Sequence, residues 1–190
     1  MKTICLVGYD PFANVLYDCL FSQGQIVTAC TAIESPSENP FGLKYLGNEN
    51  DPLVLEMLKA YEFFVCHENN MIRRTITQKL RLIAGEPITV LHKSAIISRS
   101  IQAGEGVAYC PRVIVNSSVK VGEGVLIKAG AIIDHGCTLN NYSSVGVGAI
   151  VCEGAVIGEN ATIGAGAVVL SGTIVAANAV IDPGTVFGNK

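Results

Sequence analysis

The chain has 190 residues, of which 49% are hydrophobic and 15% charged, a composition typical of a globular protein rather than a disordered one. Its formal net charge is -3 and no run of Lys or Arg forms a basic stripe, which argues against nucleic-acid binding. No apolar run approaches the roughly 18 residues that a membrane span needs.

The cysteines are odd in number, and no two of them have C-x-x-C spacing. We therefore expect reduced, mostly buried thiols in a cytoplasmic protein, with neither a disulfide framework nor a metal site. The segment from Met1 to Gly8 faintly resembles a signal peptide, but Asp10 and Pro11 cut its apolar stretch short, which favours a core strand. The seven cysteines are Cys5, Cys19, Cys30, Cys66, Cys110, Cys137 and Cys152.

The first half of the chain alternates strand-like and helix-like stretches. Short apolar runs are typical of buried strands, and two of the predicted helices begin with Asp as N-cap and Pro at the first helical position. Strands that alternate with helices predict a small parallel α/β domain, Rossmann-like in class, over residues 1–88. Residues 34–50 give no clear prediction. The predicted elements are a strand at 3–7, a helix after Asp10-Pro11, a strand at 26–32, a helix at 53–60 after Asp51-Pro52, a strand at 63–66 and a helix at about 71–84.

From Leu91 the pattern changes to a six-residue repeat whose register does not slip. One apolar residue in six must point into a narrow interior, the fifth residue of each hexad is small or β-branched, and Gly at the corners permits backbone angles that a Cβ forbids. This pattern predicts a parallel β-helix over residues 89–190. The sixteen apolar positions are Leu91, Ile97, Ala103, Tyr109, Val115, Val121, Ile127, Ile133, Leu139, Val145, Val151, Ile157, Ile163, Val169, Val175 and Ile181, and the corner glycines include Gly104, Gly122, Gly146, Gly158 and Gly164.

The hexads resemble those of the left-handed β-helix acyltransferases, in which three hexads make one triangular coil. The whole chain is similar to the bacterial sugar acetyltransferases that place a small α/β domain before the β-helix. That branch includes nucleotide-sugar 4-amino N-acetyltransferases and sialic acid O-acetyltransferases. The matching segments are Asn69-Asn70 with Arg73, the start of the repeats from Leu91 to Ser98, Gly130 to His135, which corresponds to the segment of the family's catalytic histidine, and the ending Gly188-Asn189.

The resemblance implies an acetyl-CoA-dependent transfer to a sugar for surface glycan synthesis, with His135 as general base. A histidine that is neutral near pH 7 suits removal of the acceptor's proton. His135 is the third residue of its hexad and is expected to face outward from a repeat wall. Residues eighteen apart stack in neighbouring coils about 4.8 Å apart, so Ser117 and Glu153 are expected beside it. Either Glu153 or Asp134 is hypothesised to polarise His135, against the alternative that both are solvated surface acids.

The resemblance also places acetyl-CoA in a groove between neighbouring β-helices of a homotrimer. Exposed aliphatic residues on the walls, such as Val147 and Val168, predict such an interface. No metal is expected. The candidate cofactor-binding residues are Ser144, Gly148, Gly166 and Ala167, and the candidate residues for the sugar substrate, expected to be nucleotide-linked, are Gly8, Tyr9, Asn70, Arg73 and Lys128.

The turn after the first strand departs from the family, because only Gly8 of its Gly-rich turn is present. Pro11 removes one N–H, and Asp10 at the helix N-terminus competes with any phosphate there. Tyr9 and Phe12 are candidates to stack on a base instead.

Two other hypotheses stay open. Sugar O-acetylation needs the same histidine, and a non-catalytic β-helix scaffold is favoured by Ser144, where many relatives carry a second histidine, and by Gly136, where many carry an acid. A γ-type carbonic anhydrase is rejected, because that site needs three metal-binding histidines from adjacent coils and only His135 is suitably placed.

Overall fold

In the computed structural model, which describes residues 2–188, a four-stranded parallel sheet precedes a parallel β-helix. The strand order of this first sheet is β3-β2-β1-β4, so β1 lies at its centre with β2 on one side and β4 on the other. Its elements are β1 (Ile4–Val7), α1 (Pro11–Ser22), β2 (Val27–Thr31), β3 (Lys44–Tyr45), α2 (Pro52–Leu58), β4 (Glu62–Val65) and α3 (Asn70–Ala84).

The three predicted strands and three predicted helices are confirmed, with ends that shift by a few residues at most. The Asp10 carboxylate caps α1 by accepting hydrogen bonds from the backbone N–H groups of Phe12 and Ala13, at 2.9 and 3.2 Å. Strand β3 was not predicted, because a two-residue edge strand that pairs only with β2 carries too short an apolar pattern to recognise. The division into domains at residue 88 stays a prediction.

Seventeen two-residue strands form three parallel sheets, which are the walls of the β-helix. We call them the covered wall (β5, β8, β11, β14, β17, β20), the aliphatic wall (β6, β9, β12, β15, β18, β21) and the polar wall (β7, β10, β13, β16, β19). The chain visits the three walls in this order once per coil. The strands are β5 Val90–Leu91, β6 Ile96–Ile97, β7 Gln102–Ala103, β8 Ala108–Tyr109, β9 Ile114–Val115, β10 Lys120–Val121, β11 Leu126–Ile127, β12 Ile132–Ile133, β13 Thr138–Leu139, β14 Ser144–Val145, β15 Ile150–Val151, β16 Val156–Ile157, β17 Thr162–Ile163, β18 Val168–Val169, β19 Ile174–Val175, β20 Val180–Ile181 and β21 Val186–Phe187.

The hexad register predicted from the sequence is confirmed. The second residue of each short strand is the predicted apolar position, and Ile133, Val151 and Val169 are fully buried. The fifth position also faces inward, as at the buried Ala149. Ala103 is exposed, since β7 is the terminal strand of the polar wall and no coil covers it.

Glycine occupies two positions of the hexad for different physical reasons. The fourth residue adopts a positive φ, at +66° in Gly154, and Asn160 takes the same conformation at 56°. The glycines singled out from the sequence, such as Gly146, are second residues and do not have a positive φ. A Cβ on Gly146 would lie 2.6 Å from the backbone nitrogen of Ala165 in the next coil. The expectation of unusual backbone angles at these glycines is therefore wrong, and close approach of the next coil is their reason.

The α/β unit packs on the covered wall through a buried guanidinium. Arg73 is 1% exposed and donates to the carbonyl oxygens of Gly124 at 2.9 Å and Tyr142 at 3.1 Å on the β-helix. It also donates to the carbonyl oxygen of His67 at 2.9 Å and to Oδ1 of Asn70 at 2.9 Å. Burial lowers the pKa of Arg73 to about 10, so the side chain stays charged at neutral pH. One side chain thus joins both parts of the chain.

All seven cysteines are free thiols, and six of them are buried. Burial raises the pKa of the Cys30 thiol to about 11, which keeps it protonated and unreactive at neutral pH. Within residues 2–188, no helix is both long and apolar enough to cross a bilayer.

We expect Gly146→Ala to lower the free energy of unfolding by about 3 kcal/mol, the upper end of what overpacking usually costs, because its Cβ meets backbone of the next coil. Gly148→Asn is the matched control, since Gly148 has a φ of +64° with open space around its Cβ position. Asn adopts this conformation readily, so a loss below about 1 kcal/mol is expected. Urea unfolding followed by circular dichroism measures the free energy of unfolding of both variants. Equal losses would contradict the inference that Gly146 is needed for the close approach of the next coil.

Candidate active site

His135 lies in the turn that follows β12, at the corner between the aliphatic and polar walls. The sequence predicted that His135 lies on a wall. It lies at the corner instead, because each strand is only two residues long. The predicted stacking is confirmed. The carbonyl oxygen of His135 accepts from Gly154 N at 3.0 Å, and Gly136 N donates to the carbonyl oxygen of Ser117 at 3.0 Å.

Two carboxylates flank the imidazole of His135. Nδ1 lies 3.1 Å from Oδ1 of Asp134, and Nε2 lies 3.1 Å from Oε1 of Glu153. The same Asp134 oxygen accepts from the backbone N–H of His135 at 2.7 Å and from the amide of Asn116 at 3.0 Å. Three donors therefore surround one oxygen of Asp134, whereas the side chain of Glu153 is 62% exposed.

The pKa values of this cluster shift in opposite directions. The hydrogen bond to the His135 side chain, with those from the His135 backbone and Asn116, lowers the pKa of Asp134 to about 2. The hydrogen bond to Asp134, together with the negative charge of Glu153, raises the pKa of His135. The cluster is open to water, so added salt screens these interactions.

The four predicted cofactor-binding residues do not share one surface. Gly148 and Gly166 are exposed corner residues stacked one coil apart, and each leaves open space where a Cβ would stand. Ser144 is buried and donates to Oδ1 of Asn70 at 2.6 Å. Ala167 is fully buried, since it is a fifth hexad residue whose methyl group faces the interior. Only the two glycines offer surface to a ligand.

The predicted substrate residues divide between two places. Gly8 and Tyr9 line a shallow pocket at the carboxyl end of β1. Asn70 and Arg73 are buried where the α/β unit meets the covered wall, with their donors on protein acceptors. Their role as ligand contacts stays a prediction, and the geometry favours a structural role.

Lys128 also contacts the α/β unit. Its ammonium group pairs with the carboxylate of Glu68 and lies 5.2 Å from the centre of the Phe12 ring. The Lys128 ammonium group therefore covers the Phe12 ring. Of the two aromatic residues predicted to stack on a base, Tyr9 is the one that lines the pocket.

Glu49 is a candidate that the sequence did not reveal. Its side chain is 2% exposed, and Oε1 lies 3.4 Å from Nε2 of His67 in the pocket of Gly8 and Tyr9. Glu49 falls in the stretch that gave no clear prediction. The only signal was His67 at the carboxyl end of a predicted strand, where ligands of parallel sheets bind.

The aliphatic wall carries an unbroken ladder of outward Ile and Val side chains. Ile96, Ile150 and Val186 are exposed and the other three members are half-buried, and successive members pair directly, as Ile132 does with Ile150. Lys128 and His135 flank Ile132 along the chain, one at each edge of this wall. The α/β unit, which Lys128 contacts, and His135 therefore lie at opposite edges of the aliphatic wall. The ladder is Ile96, Ile114, Ile132, Ile150, Val168 and Val186.

Within the described part of the chain, no group of three or more His, Cys, Asp or Glu side chains is arranged to hold a metal ion.

Comparison with known proteins supports the resemblance seen in the sequence. The family described as bacterial transferase hexapeptide (six repeats) matches residues 154–189. A search of the curated proteins found no match. Among solved structures, GDP-perosamine N-acetyl transferase from Caulobacter crescentus, a histidine-to-alanine variant in complex with CoA and GDP-perosamine, is 27% identical with a TM-score of 0.90. The alignment covers 97% of this chain and 87% of that one.

Two further structures are similar in fold. The acetyltransferase domain of PglB from Neisseria gonorrhoeae, in complex with acetyl coenzyme A, is 22% identical with a TM-score of 0.89, over 98% of this chain and 91% of that one. WeeI from Acinetobacter baumannii is 19% identical with a TM-score of 0.69, over 99% and 97%. The resemblance to hexapeptide-repeat sugar acetyltransferases is confirmed.

We expect an NMR titration to place the pKa of His135 above the ordinary value for histidine, because two carboxylates stabilise the imidazolium. Asp134→Asn should lower this pKa more than Glu153→Gln, since the hydrogen bond to Asp134 is the larger cause. The ring signals of His67 and His92 serve as internal controls that neither substitution should move as far. A His135 pKa that neither substitution changes would show the acids to be solvated surface groups.

Proposed function

We propose that this protein is an acetyl-CoA-dependent acetyltransferase that acetylates the amine of a nucleotide-linked sugar in the cytoplasm. The observation that carries the proposal is His135, held between Asp134 and Glu153, on a fold nearly superimposable on an N-acetyltransferase of GDP-perosamine. The proposal includes a left-handed β-helix at residues 89–190 and a Rossmann-like domain at residues 1–88 that binds the sugar substrate.

In the proposed mechanism, His135 removes a proton from the acceptor amine. Asp134 fixes the imidazole by accepting from Nδ1–H, because that oxygen is itself held by two further donors. Nε2 is then the reacting nitrogen. The exposed Glu153 swings away from Nε2 when the acceptor binds, and its carboxylate attracts the incoming ammonium group.

The acyl donor is expected beside the exposed corner of Gly148 and Gly166. Neither residue has a side chain beyond hydrogen, and a Cβ built on either meets no atom within 4 Å. Backbone and small residues at a corner of this kind leave room for an extended pantetheine chain, whose amide groups can hydrogen-bond to exposed backbone.

The homotrimer is proposed from the aliphatic wall. A partly exposed apolar ladder of this length is typical of an interface, and the covered wall is already packed against the α/β unit. The α/β unit contacts Lys128 at one edge of the aliphatic wall, and His135 lies at the other edge. A neighbouring copy docked on this wall therefore brings its own α/β unit towards His135. The complete site then needs two chains.

We expect His135→Gln to lower kcat for acetyl transfer about 10²- to 10⁴-fold, which is what a general base contributes. Affinity for acetyl-CoA, measured by calorimetry, should not change. His92→Gln is the control, since His92 bonds Ser94 at the first corner and should keep native turnover. The assay is thiol release from acetyl-CoA with a panel of nucleotide-linked amino sugars.

The pH profile provides a second readout of the same step. The base must be neutral, so kcat/KM rises with pH through the pKa of His135. Asp134→Asn removes a partner that raises this pKa, and the rise should move to lower pH while the maximal rate falls. A native protein that neither binds acetyl-CoA nor releases thiol with any acceptor would refute the enzyme proposal.

Ile150→Asp should break the assembly, because it places a charge in the middle of the aliphatic ladder. Light scattering should then report a single chain in place of three, and turnover should fall with the assembly. Thr138→Asp, an outward residue of the polar wall, is the matched control and should stay assembled and active. Full activity of a native protein that is monomeric at assay concentration would contradict the shared site.

A further inference from the structure

The imidazole of His135 stands between two carboxylates at equal distances. Oδ1 of Asp134 lies 3.1 Å from Nδ1, and Oε1 of Glu153 lies 3.1 Å from Nε2. Both acids can accept a hydrogen bond, but a neutral imidazole has a single N–H to donate. The acid that accepts it fixes the tautomer, and the other ring nitrogen keeps the lone pair that takes a proton. The two distances therefore do not decide which nitrogen reacts.

A donor from the preceding coil acts on one of these acids. The side-chain amide of Asn116, eighteen residues before Asp134, donates to Oδ1 of Asp134 at 3.0 Å, and this is the same oxygen that meets Nδ1 of His135. The backbone N–H of His135 donates to that oxygen as well, at 2.7 Å, but it belongs to the residue that has to be oriented. Glu153 is 62% exposed, so water competes for its oxygens. Asn116 thus favours Asp134 as the acceptor for the imidazole N–H.

Other titratable and charged groups lie near this corner without reaching the ring in the same way. Burial raises the pKa of the Cys137 thiol, which donates to the carbonyl oxygen of Cys152 at 3.1 Å. The cations on this side are Lys120, on the polar wall one coil before His135, and Arg99, two coils before it, and both are exposed. The two carboxylates are the acids within hydrogen-bonding distance of the imidazole.

We propose that Asn116 is a positioning residue for acetyl transfer, which holds Asp134 on Nδ1–H of His135 and so makes Nε2 the nitrogen that takes the proton from the acceptor amine. Without this amide, the carboxylate of Asp134 can rotate about its side-chain bonds, and Glu153 competes for the N–H on equal terms. In part of the molecules the lone pair would then lie on Nδ1, which faces Asp134 instead of an acceptor. The inference rests on the proposed function and names the residue that selects the reacting nitrogen.

NMR of the isotope-labelled full chain tests this, because the shifts of the ring nitrogens report the tautomer of His135 directly. Above the pKa of the ring, the native chain should carry the proton on Nδ1, and Asn116→Ala should give a mixture of both tautomers. kcat should fall about tenfold, the lower end of what a hydrogen bond to a charged group contributes, while KM for the sugar should not change.

The direction in which the pKa of His135 moves separates positioning from a purely electrostatic effect. If Asn116→Ala lets Asp134 move away, the pKa of His135 falls, because the hydrogen bond to Asp134 is the largest cause of its elevation. If the amide only draws charge from a fixed carboxylate, its loss strengthens the pull of Asp134 on the imidazolium and the pKa of His135 rises. The proposal expects the fall.

Asn140→Ala is the matched control. Asn140 is also the second residue of its hexad, and its amide donates to the carbonyl oxygen of Ile157 in the next coil at 2.8 Å, at a different corner. This variant should keep the tautomer, the His135 pKa and the kcat of the native chain. Asn116→Asp, which has the same shape but no N–H to donate, should lose the native tautomer and replaces Asn116→Ala if that variant does not fold.

The proposal is overturned if Asn116→Ala keeps the native tautomer and turnover, if it raises the pKa of His135, or if Asn140→Ala changes tautomer and kcat as much. The tautomer and the pKa are measured without substrate. A native chain that transfers no acetyl group, but whose tautomer is lost in Asn116→Ala, would refute the proposed function and leave the hold of Asn116 on the imidazole standing.

Discussion

The fold depends on one constraint, which is that the first and fifth residues of each hexad covered by a further coil must fit inside a narrow three-walled tube. Ile133 and Ala149 show the two kinds of inward position, and both are fully buried. Because the strands are two residues long, everything between them forms corners. Side chains eighteen residues apart must then stack, and this stacking brings Glu153 to His135. The proposed catalytic cluster is a consequence of the repeat.

A second interaction decides which wall stays open. Arg73 inserts between the α/β unit and the covered wall, where its donors satisfy backbone carbonyl oxygens of both. Removing it would leave several buried acceptors without donors. The aliphatic wall remains exposed as a result, with the pocket side of the α/β unit at one edge and His135 at the other. This arrangement is the physical argument for a site completed by a second chain.

The two acidic sites differ in their exposure to solvent. Asp134 and Glu153 are exposed and raise the pKa of His135, which is the effect that the proposed proton transfer needs to control. Glu49 is instead buried beside His67, and no described residue donates a hydrogen bond to its second oxygen. Solvent exposure separates the two sites more clearly than residue type does.

The sequence by itself determined the β-helix, its register, the stacking of His135 with Glu153 and, apart from β3, the order of strands and helices in the first half. These follow from periodicity and local capping, which are properties of short segments. Only the tertiary structure decided that Ser144 and Ala167 are buried, that Gly146 is needed for the approach of the next coil, and that Glu49 meets His67. Burial, close approach and pairing between distant residues depend on how whole elements pack, and no local pattern records them.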